Sequence, residues 1–335
     1  MGMLVDGKWQ TQKELWGDSN GRFRRTETQF RNWVTADESP GPSGQGRFEA
    51  APGRYHLYVA NACPWAHRTL IMRALKGLQD MISLSVVHWF MGDDGWTFEP
   101  GEGVIGDPLV GARYLHEIYV AARPDYTGRV TVPVLWDKER GAIVNNESAE
   151  IIRMFNTAFD DVGAVPGDYY PEDLRDEIEA VNARVYDTVN NGVYKSGFAT
   201  TQEAYEEAVG PLFDTLDWLE ARLSRQRYVA GDRFTEADIR LFTTLVRFDP
   251  VYHGHFKCNV RRIVDYPNLW ALTREIYQMP EVRETVHFDH IKRHYYTSHR
   301  SVNPTGIVPV GPAIDFDAPV DGLRASRLSS ARKLR

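Results

Sequence analysis

Cysteine is nearly absent from this chain: 335 residues contain two, Cys63 and Cys258. That excludes a disulfide framework, and a reducing compartment argues against pairing these two. An excess of positive charge is also missing. The net charge of -7 gives no general attraction to nucleic acid or to an anionic membrane. No apolar run approaches the ~20 residues of a membrane span. Residues 1–10 lack the basic segment and apolar core of a secretory signal. Gly2 opens a myristoylation frame, but Asp6 stands where Ser or Thr is wanted. Together these absences predict a cytoplasmic protein. With 42% hydrophobic and 25% charged residues, the chain has the composition of a soluble globular protein, long enough for two domains.

One more absence bears on chemistry. In Cys63-Pro64-Trp65-Ala66 the fourth position holds no second cysteine. A mixed disulfide formed on Cys63 has no neighbouring thiol to resolve it and persists until an external thiol arrives. A small thiol is then both reagent and reductant.

What is present gives that cysteine its setting. Upstream, Tyr55, Leu57 and Val59 alternate as in a strand; downstream, Leu70, Ile71, Ala74, Leu75 and Leu78 recur at helical spacing. Pro64 suits a first helical turn, where its missing N–H costs nothing. Cys63 therefore falls where free backbone N–H groups and the positive dipole end favour a thiolate, an environment that lowers a thiol pKa from ~8.5 into the range of about 3.5–7.5. Against this stands the plain reading of a small buried hydrophobe. The strand–Cys-Pro–helix context favours a nucleophile.

Residues 1–52 are mixed and turn-rich, with 40–46 a loop; Trp9, Trp16, Phe23, Phe30 and Trp33 argue for a segment that wraps the first domain. After the Cys63 helix come a strand-like run over 82–89, an insertion over 91–107 and a helix predicted over 108–122. A proline-interrupted strand over 129–137, a short strand over 141–144 and a helix opened by Asn145-Asn146-Glu147-Ser148 follow. A βαβ unit followed by αββα is the thioredoxin-like pattern. Beyond 160 the chain turns helical: Leu174, Ile178, Val181 and Val185 make one apolar stripe, Leu212, Leu216, Leu219 and Leu223 another. Capping boxes are predicted at Thr200/Glu203 and Thr235/Asp238, the latter with a Phe234–Ile239 staple. The basic tail from Leu323 reads as a solvated, disordered end.

Taken together, Cys63-Pro64-Trp65-Ala66-His67-Arg68, Arg129-Val130-Thr131-Val132-Pro133-Val134-Leu135-Trp136-Asp137, Asn146-Glu147-Ser148-Ala149-Glu150-Ile151-Ile152 and Asn303-Pro304-Thr305-Gly306-Ile307 resemble the glutathionyl-hydroquinone reductases, the Xi class of the glutathione transferases. The resemblance runs from the amino-terminal extension to about residue 312. It implies an α/β thioredoxin-like amino-terminal domain followed by an all-α carboxy-terminal domain, the glutathione transferase fold. The divisions expected are an extension over 1–52, a glutathione-binding domain over 53–160, a helical domain over 168–322 and a tail over 323–335. It further implies a homodimer, with glutathione as co-substrate and neither metal nor nucleotide.

The implied chemistry is attack of Cys63 on the sulfur of a glutathionyl-hydroquinone, release of hydroquinone, and a Cys63–glutathione mixed disulfide resolved by a second glutathione. By resemblance Tyr194 moves the proton, and Tyr252 and Tyr295 support the thiolate, with Tyr296 competing for the place of Tyr295. The glutathione contacts implied are Trp96, Arg129, Val130, Thr131, Val132, Glu147 and Ser148. Val132 precedes a proline that the family favours as cis. Glu147 suits the ligand's amino group, and Ser148 with its helix N-terminus suits the γ-glutamyl carboxylate; Ser148 as a simple N-cap is the plain alternative.

Other signals are weaker. Gly101-Glu102-Gly103-Val104-Ile105-Gly106 spells a dinucleotide fingerprint, but no strand precedes it. His287, His290 and His294 share helical spacing, which reads as a polar face rather than a metal site. His67 reads as structural. The rival functions are a general monothiol thioltransferase or dehydroascorbate reductase, and a non-catalytic scaffold of the same fold.

Overall fold

The computed structural model describes residues 2–11, 18–42 and 48–320. Trp16, residues 43–46 of the expected loop and the basic tail from Leu323 lie outside the described residues. The strands are β1 (Gly2–Val5), β2 (Lys8–Thr11), β3 (Val34–Thr35), β4 (Phe48–Glu49), β5 (Tyr55–Val59), β6 (Ile82–Val86), β7 (Val134–Asp137) and β8 (Ala142–Asn145). The helices of the first half are α1 (Pro64–Leu75), α2 (Leu115–Ala122) and α3 (Ser148–Thr157).

A sheet of order β6-β5-β7-β8 organises this half, with β5 parallel to β6 and antiparallel to β7. All of β5 is buried, His56 and Tyr58 included. The expected alternation of Tyr55, Leu57 and Val59 is thus not a division between core and solvent: layers cover both faces of the strand. Helices α1 and α3 pack together, and α2 meets β8. The amino-terminal segment adds to the β8 edge, where Arg31 bridges Asn145 and Asn32 N–H donates to the Val144 carbonyl at 3.0 Å.

Several expected elements are shorter in the structure, among them the strand-like run over 82–89, which ends at Val86. The helix expected over 108–122 begins only at Leu115. The Asp107 carboxylate takes the N–H groups of Leu109, Val110 and Ala112 at 2.9–3.0 Å and the Tyr58 hydroxyl at 2.8 Å, so the chain there winds around one side chain. The strand expected from Arg129 pairs only from Val134, beyond the cis Val132–Pro133 bond, because proline donates no ladder hydrogen bond.

The second half comprises α4 (Arg175–Val185), α5 (Gly192–Gly197), α6 (Gln202–Leu223), α7 (Glu236–Arg247), α8 (His253–His255), α9 (Pro267–Tyr277), α10 (Pro280–Arg283) and α11 (Phe288–Ser298). Both predicted apolar stripes face the core, Leu174 only in part. The first capping box is displaced by one residue. Thr200 N–H is held by the Gly21 carbonyl at 3.1 Å, so Thr201 caps α6 through Ala204 N–H at 3.2 Å, and Glu203 pairs with Arg22 instead. The second is as expected, with Thr235 and Asp238 capping α7 reciprocally.

Helix α7 is buried along its whole length and packs on α1, joining the halves. Wide π-helical turns at Tyr186–Asn190 and Phe248–Tyr252 continue α4 and α7, a distortion that recurs at functional sites. At Gly197 a Cβ would meet the Phe256 ring at 2.1 Å, so only glycine lets α5 lie against it.

The buried Asp238 carboxylate accepts from the N–H groups of Val229 at 2.9 Å and Thr235 at 3.0 Å. Asp238→Ala would leave both donors buried and unpaired, and is expected to lower the free energy of unfolding by about 3 kcal/mol, read by urea titration. A loss under about 1 kcal/mol would contradict this role for the cap.

Candidate active site

Cys63 is the N-cap of α1, with φ -76° and ψ 122°, and Pro64 is the first helical residue. The preceding turn closes through Cys63 N–H to the Ala60 carbonyl at 3.0 Å. The thiol faces the Val132 carbonyl at 3.7 Å, so the strand–helix turn and the cis-proline loop meet at the sulfur. Burial pushes the Cys63 thiol up from its ordinary value, outweighing the N–H groups of Ala66 and Trp65 and the charges of Arg247 and Arg25, which pull it down. This corrects the expected depression. The helix terminus acts as foreseen, but desolvation of a sulfur packed against the core is the larger influence.

The sulfur opens onto a cavity of about 600 Å³ between the two halves. Trp96, from the insertion, is on its wall and stacks on His294 of α11 with ring centroids 4.8 Å apart. Arg129, Val130, Thr131 and Val132 form another wall. Thr131 is held from behind, its carbonyl accepting from the Tyr119 hydroxyl at 2.8 Å.

At the N-terminus of α3, Glu147 and not Ser148 is the cap, its carboxylate accepting from Ala149 N–H at 3.1 Å. Ser148 is buried and accepts from Arg68 Nη1 at 3.4 Å. Arg68 is buried as well. Its Nη2 donates to Asn190 Oδ1 at 2.9 Å, its Nε has no partner, and burial draws its pKa down to about 9. The π-helical turn that ends at Asn190 thus reaches across the interface to the mouth of α3.

The tyrosines come from three elements. Tyr194 of α5 and Tyr295 of α11 share a hydroxyl contact of 2.5 Å, and Tyr252 meets Tyr295 at 2.9 Å. Tyr194 and Tyr295 line the cavity; Tyr252 is fully buried behind them, in contact with both. Burial raises all three phenols, so they stay protonated near neutrality. Tyr296 instead donates to the Pro250 carbonyl at 3.3 Å, away from this chain of hydroxyls.

The histidines take structural places. His67 is buried between Thr285 and Arg247. His290 Nε2 faces the carbonyl of Glu102, in the insertion, and His294 Nδ1 that of Trp89, just before it. Both are buried, so they do not make the polar face expected of α11, and burial holds His294 neutral, its pKa drawn down to about 4.

Residues missed in the sequence include Arg25 and Arg247. Arg25 lies over the rings of Trp65 at 4.6 Å and Tyr194 at 5.2 Å, carried there by the amino-terminal segment. Neither sits in a local motif, and only the tertiary fold brings them to the thiol.

A family model for the glutathione S-transferase N-terminal domain matches residues 62–158, and one for the C-terminal domain matches residues 202–275. The chain is 61% identical over 316 residues to glutathionyl-hydroquinone reductase PcpF of Sphingobium chlorophenolicum, spanning 93% of this chain and 97% of that protein. It is 58% identical over 323 residues to glutathionyl-hydroquinone reductase YqjG of Escherichia coli, spanning 95% and 98%. The glutathione-bound structure of YqjG superposes with a TM-score of 0.89 at 56% identity, covering 97% of this chain and 100% of that one. A Xi class enzyme from Natrialba magadii gives 0.89 at 52% identity, covering 97% of each.

The phenol contacts predict unequal effects from neighbouring substitutions. Tyr295→Phe deprives the hydroxyls of Tyr194 and the buried Tyr252 of a partner and is expected to destabilise by about 1–3 kcal/mol, whereas Tyr296→Phe costs under about 1 kcal/mol, both by urea unfolding. Equal losses would contradict the central place of Tyr295.

Proposed function

The chain belongs to the glutathionyl-hydroquinone reductases, the Xi class of the glutathione transferases, and on that premise we propose that it reduces glutathionyl-hydroquinones to hydroquinones at the expense of glutathione, with Cys63 as nucleophile. One observation carries the assignment of roles: a single cavity joins the Cys63 thiol, the N-terminus of α3 and the Tyr194–Tyr295 phenols.

In the first step the Cys63 thiolate attacks the glutathionyl sulfur. The sulfur–carbon bond to the ring breaks, and its electron pair goes to the ring carbon. An aryl thioether is a poor electrophile at sulfur, so that carbon needs a proton, supplied through the keto form of the hydroquinone. Tyr194 is the donor in this reading, supported by its place on the cavity wall and by the burial that keeps its phenol protonated. Tyr295 and behind it Tyr252 form the hydroxyl chain through which it is reprotonated. Hydroquinone leaves, and Cys63 holds glutathione as a mixed disulfide.

In the second step the thiolate of another glutathione attacks the glutathionyl sulfur of that disulfide. Oxidised glutathione departs and the Cys63 thiolate is restored, with no second protein thiol required. The N–H groups of Trp65 and Ala66, with Arg247 and Arg25, favour the anion against the desolvation that opposes it.

Glutathione is held, in this reading, by Trp96 and Arg129 on one side and by the Val130–Val132 backbone beside the sulfur. Ser148 and the α3 N-terminus take the γ-glutamyl carboxylate, and Glu147 the amino group. The homodimer, the cytoplasmic setting and the divisions at 52, 160, 168 and 322 belong to the same reading, supported by the family likeness.

With a glutathionylated hydroquinone and excess glutathione, hydroquinone release is expected, and Cys63→Ala should abolish it. Tyr194→Phe is expected to slow release from the aryl thioether by about 10²–10⁴ while reduction of hydroxyethyl disulfide changes little. Equal losses on both substrates would remove Tyr194 from proton transfer. Activity on the disulfide alone would favour a general thioltransferase.

A further inference from the structure

Arg247, the last residue of α7, is fully buried. Its Nε donates to the Ala62 carbonyl at 2.9 Å and its Nη2 to the Asn61 carbonyl at 3.1 Å. Its Nη1 donates to the Thr243 carbonyl at 2.8 Å and to His67 Nδ1 at 2.9 Å. Among the described residues no carboxylate lies within ion-pair distance of it. A buried guanidinium without an acid is expensive, and carbonyl dipoles offset only part of that expense.

The carbonyls it grips have their own significance. The turn from Ala60 to Cys63 closes on its own N–H bond, which leaves the carbonyls of its two central residues, Asn61 and Ala62, facing outward in a buried place. One planar fork satisfies both, a geometry that a lysine ammonium does not reproduce. His67 completes the seat. Accepting from Arg247 at Nδ1, it must be neutral and donate from Nε2 to Thr285 Oγ1 at 2.8 Å, and that hydroxyl passes its hydrogen to the Val282 carbonyl at 2.6 Å.

We propose that Arg247 is a positioning residue for Cys63: its fork fixes the Asn61–Ala62 turn that presents the thiol, and its charge is the buried counterion of the thiolate. The proposal rests on Cys63 as nucleophile. It also gives the helical half a direct hold on the reactive turn, since α7 supplies the guanidinium.

The direction of influence agrees, because Arg247 pulls the Cys63 thiol down against burial. The other titratable or charged groups that face this assembly are His67, His287 and His294, the phenols of Tyr194, Tyr252 and Tyr295, and the Arg25 guanidinium. Burial and Arg247 keep the three histidines neutral, so the charges at work are the two arginines.

The test is the pH dependence of iodoacetamide alkylation of the full-length protein, read on the Cys63 peptide by mass spectrometry. The buried Cys258, its thiol pushed up to about 12, falls on a separate peptide. Arg247→Gln is expected to raise the midpoint by about one pH unit, which slows alkylation at pH 7 about tenfold. Arg247→Lys restores the charge without the fork, so it should return most of that shift yet still turn over more slowly than the parent.

A parent-like midpoint in folded Arg247→Gln overturns the proposal, as does an equal upward shift in both variants. Should Arg247→Gln fail to fold, Arg247→Lys decides alone: a midpoint raised by a full unit removes the counterion role, and parent-like turnover removes the fork. Alkylation needs no glutathionyl-hydroquinone, so a wrong substrate assignment leaves this result standing. A Cys63 inert at every pH in the parent would overturn proposal and premise together.

Discussion

The sulfur of Cys63 is built by one half of the molecule and served by the other, and the interface between α1 and α7 is the constraint on which the rest depends. The sheet half sets the atom at the head of α1 and faces it with the Val132 carbonyl. The helical half supplies the Tyr194, Tyr252 and Tyr295 phenols and the guanidinium of Arg247. Neither half has a complete site alone, which explains why so much polar structure is spent where they meet. Arg68, Asn190, His67 and Arg247 are all buried there, satisfied mainly by carbonyls, amides and hydroxyls. Such groups rigidify an interface when satisfied and are costly when displaced, so the relative setting of the halves is specified to within a hydrogen bond.

Burial sets the protonation states that the chemistry needs. The three phenols remain acids near neutrality because desolvation opposes the phenolate, and His294 remains neutral for the same reason. Desolvation also works against the thiolate, so the site has to gather what favours an anion: a helix terminus and two arginines. The two wide helical turns assist. One delivers Asn190 to Arg68 and leads into the helix of Tyr194; the other ends at Tyr252. Both lengthen a helix just where it must redirect its side chains towards the cavity.

Much of this was legible in residue order. The strand–Cys-Pro–helix turn, the Thr235/Asp238 box and the apolar stripes depend on near neighbours, and local chemistry determines them. The expected helix over 108–122 starts late, at Leu115, because a distant strand residue, Tyr58, and one carboxylate, Asp107, organise residues 108–114 as a loop. Thr201 replaced Thr200 as a cap because Gly21, far away in sequence, took the Thr200 N–H. The choice between Tyr295 and Tyr296 could not be read from order either, since adjacent residues on a helix differ by rotation, and only packing against Tyr194 and Tyr252 separates them. Arg247 is the extreme case: nothing near it in sequence marks it, and its partners Asn61, Ala62 and His67 lie on the other half.

The most direct test of the account is a single turnover. When the protein is mixed with one equivalent of a glutathionylated hydroquinone and no free glutathione, hydroquinone should appear in proportion to enzyme. Intact-mass and peptide analysis should then find one glutathionyl group on Cys63, removed by added glutathione with formation of its disulfide. Hydroquinone released with Cys63 unmodified, or a glutathionyl group carried by Cys258 instead, would contradict the claim that the reaction passes through this thiol.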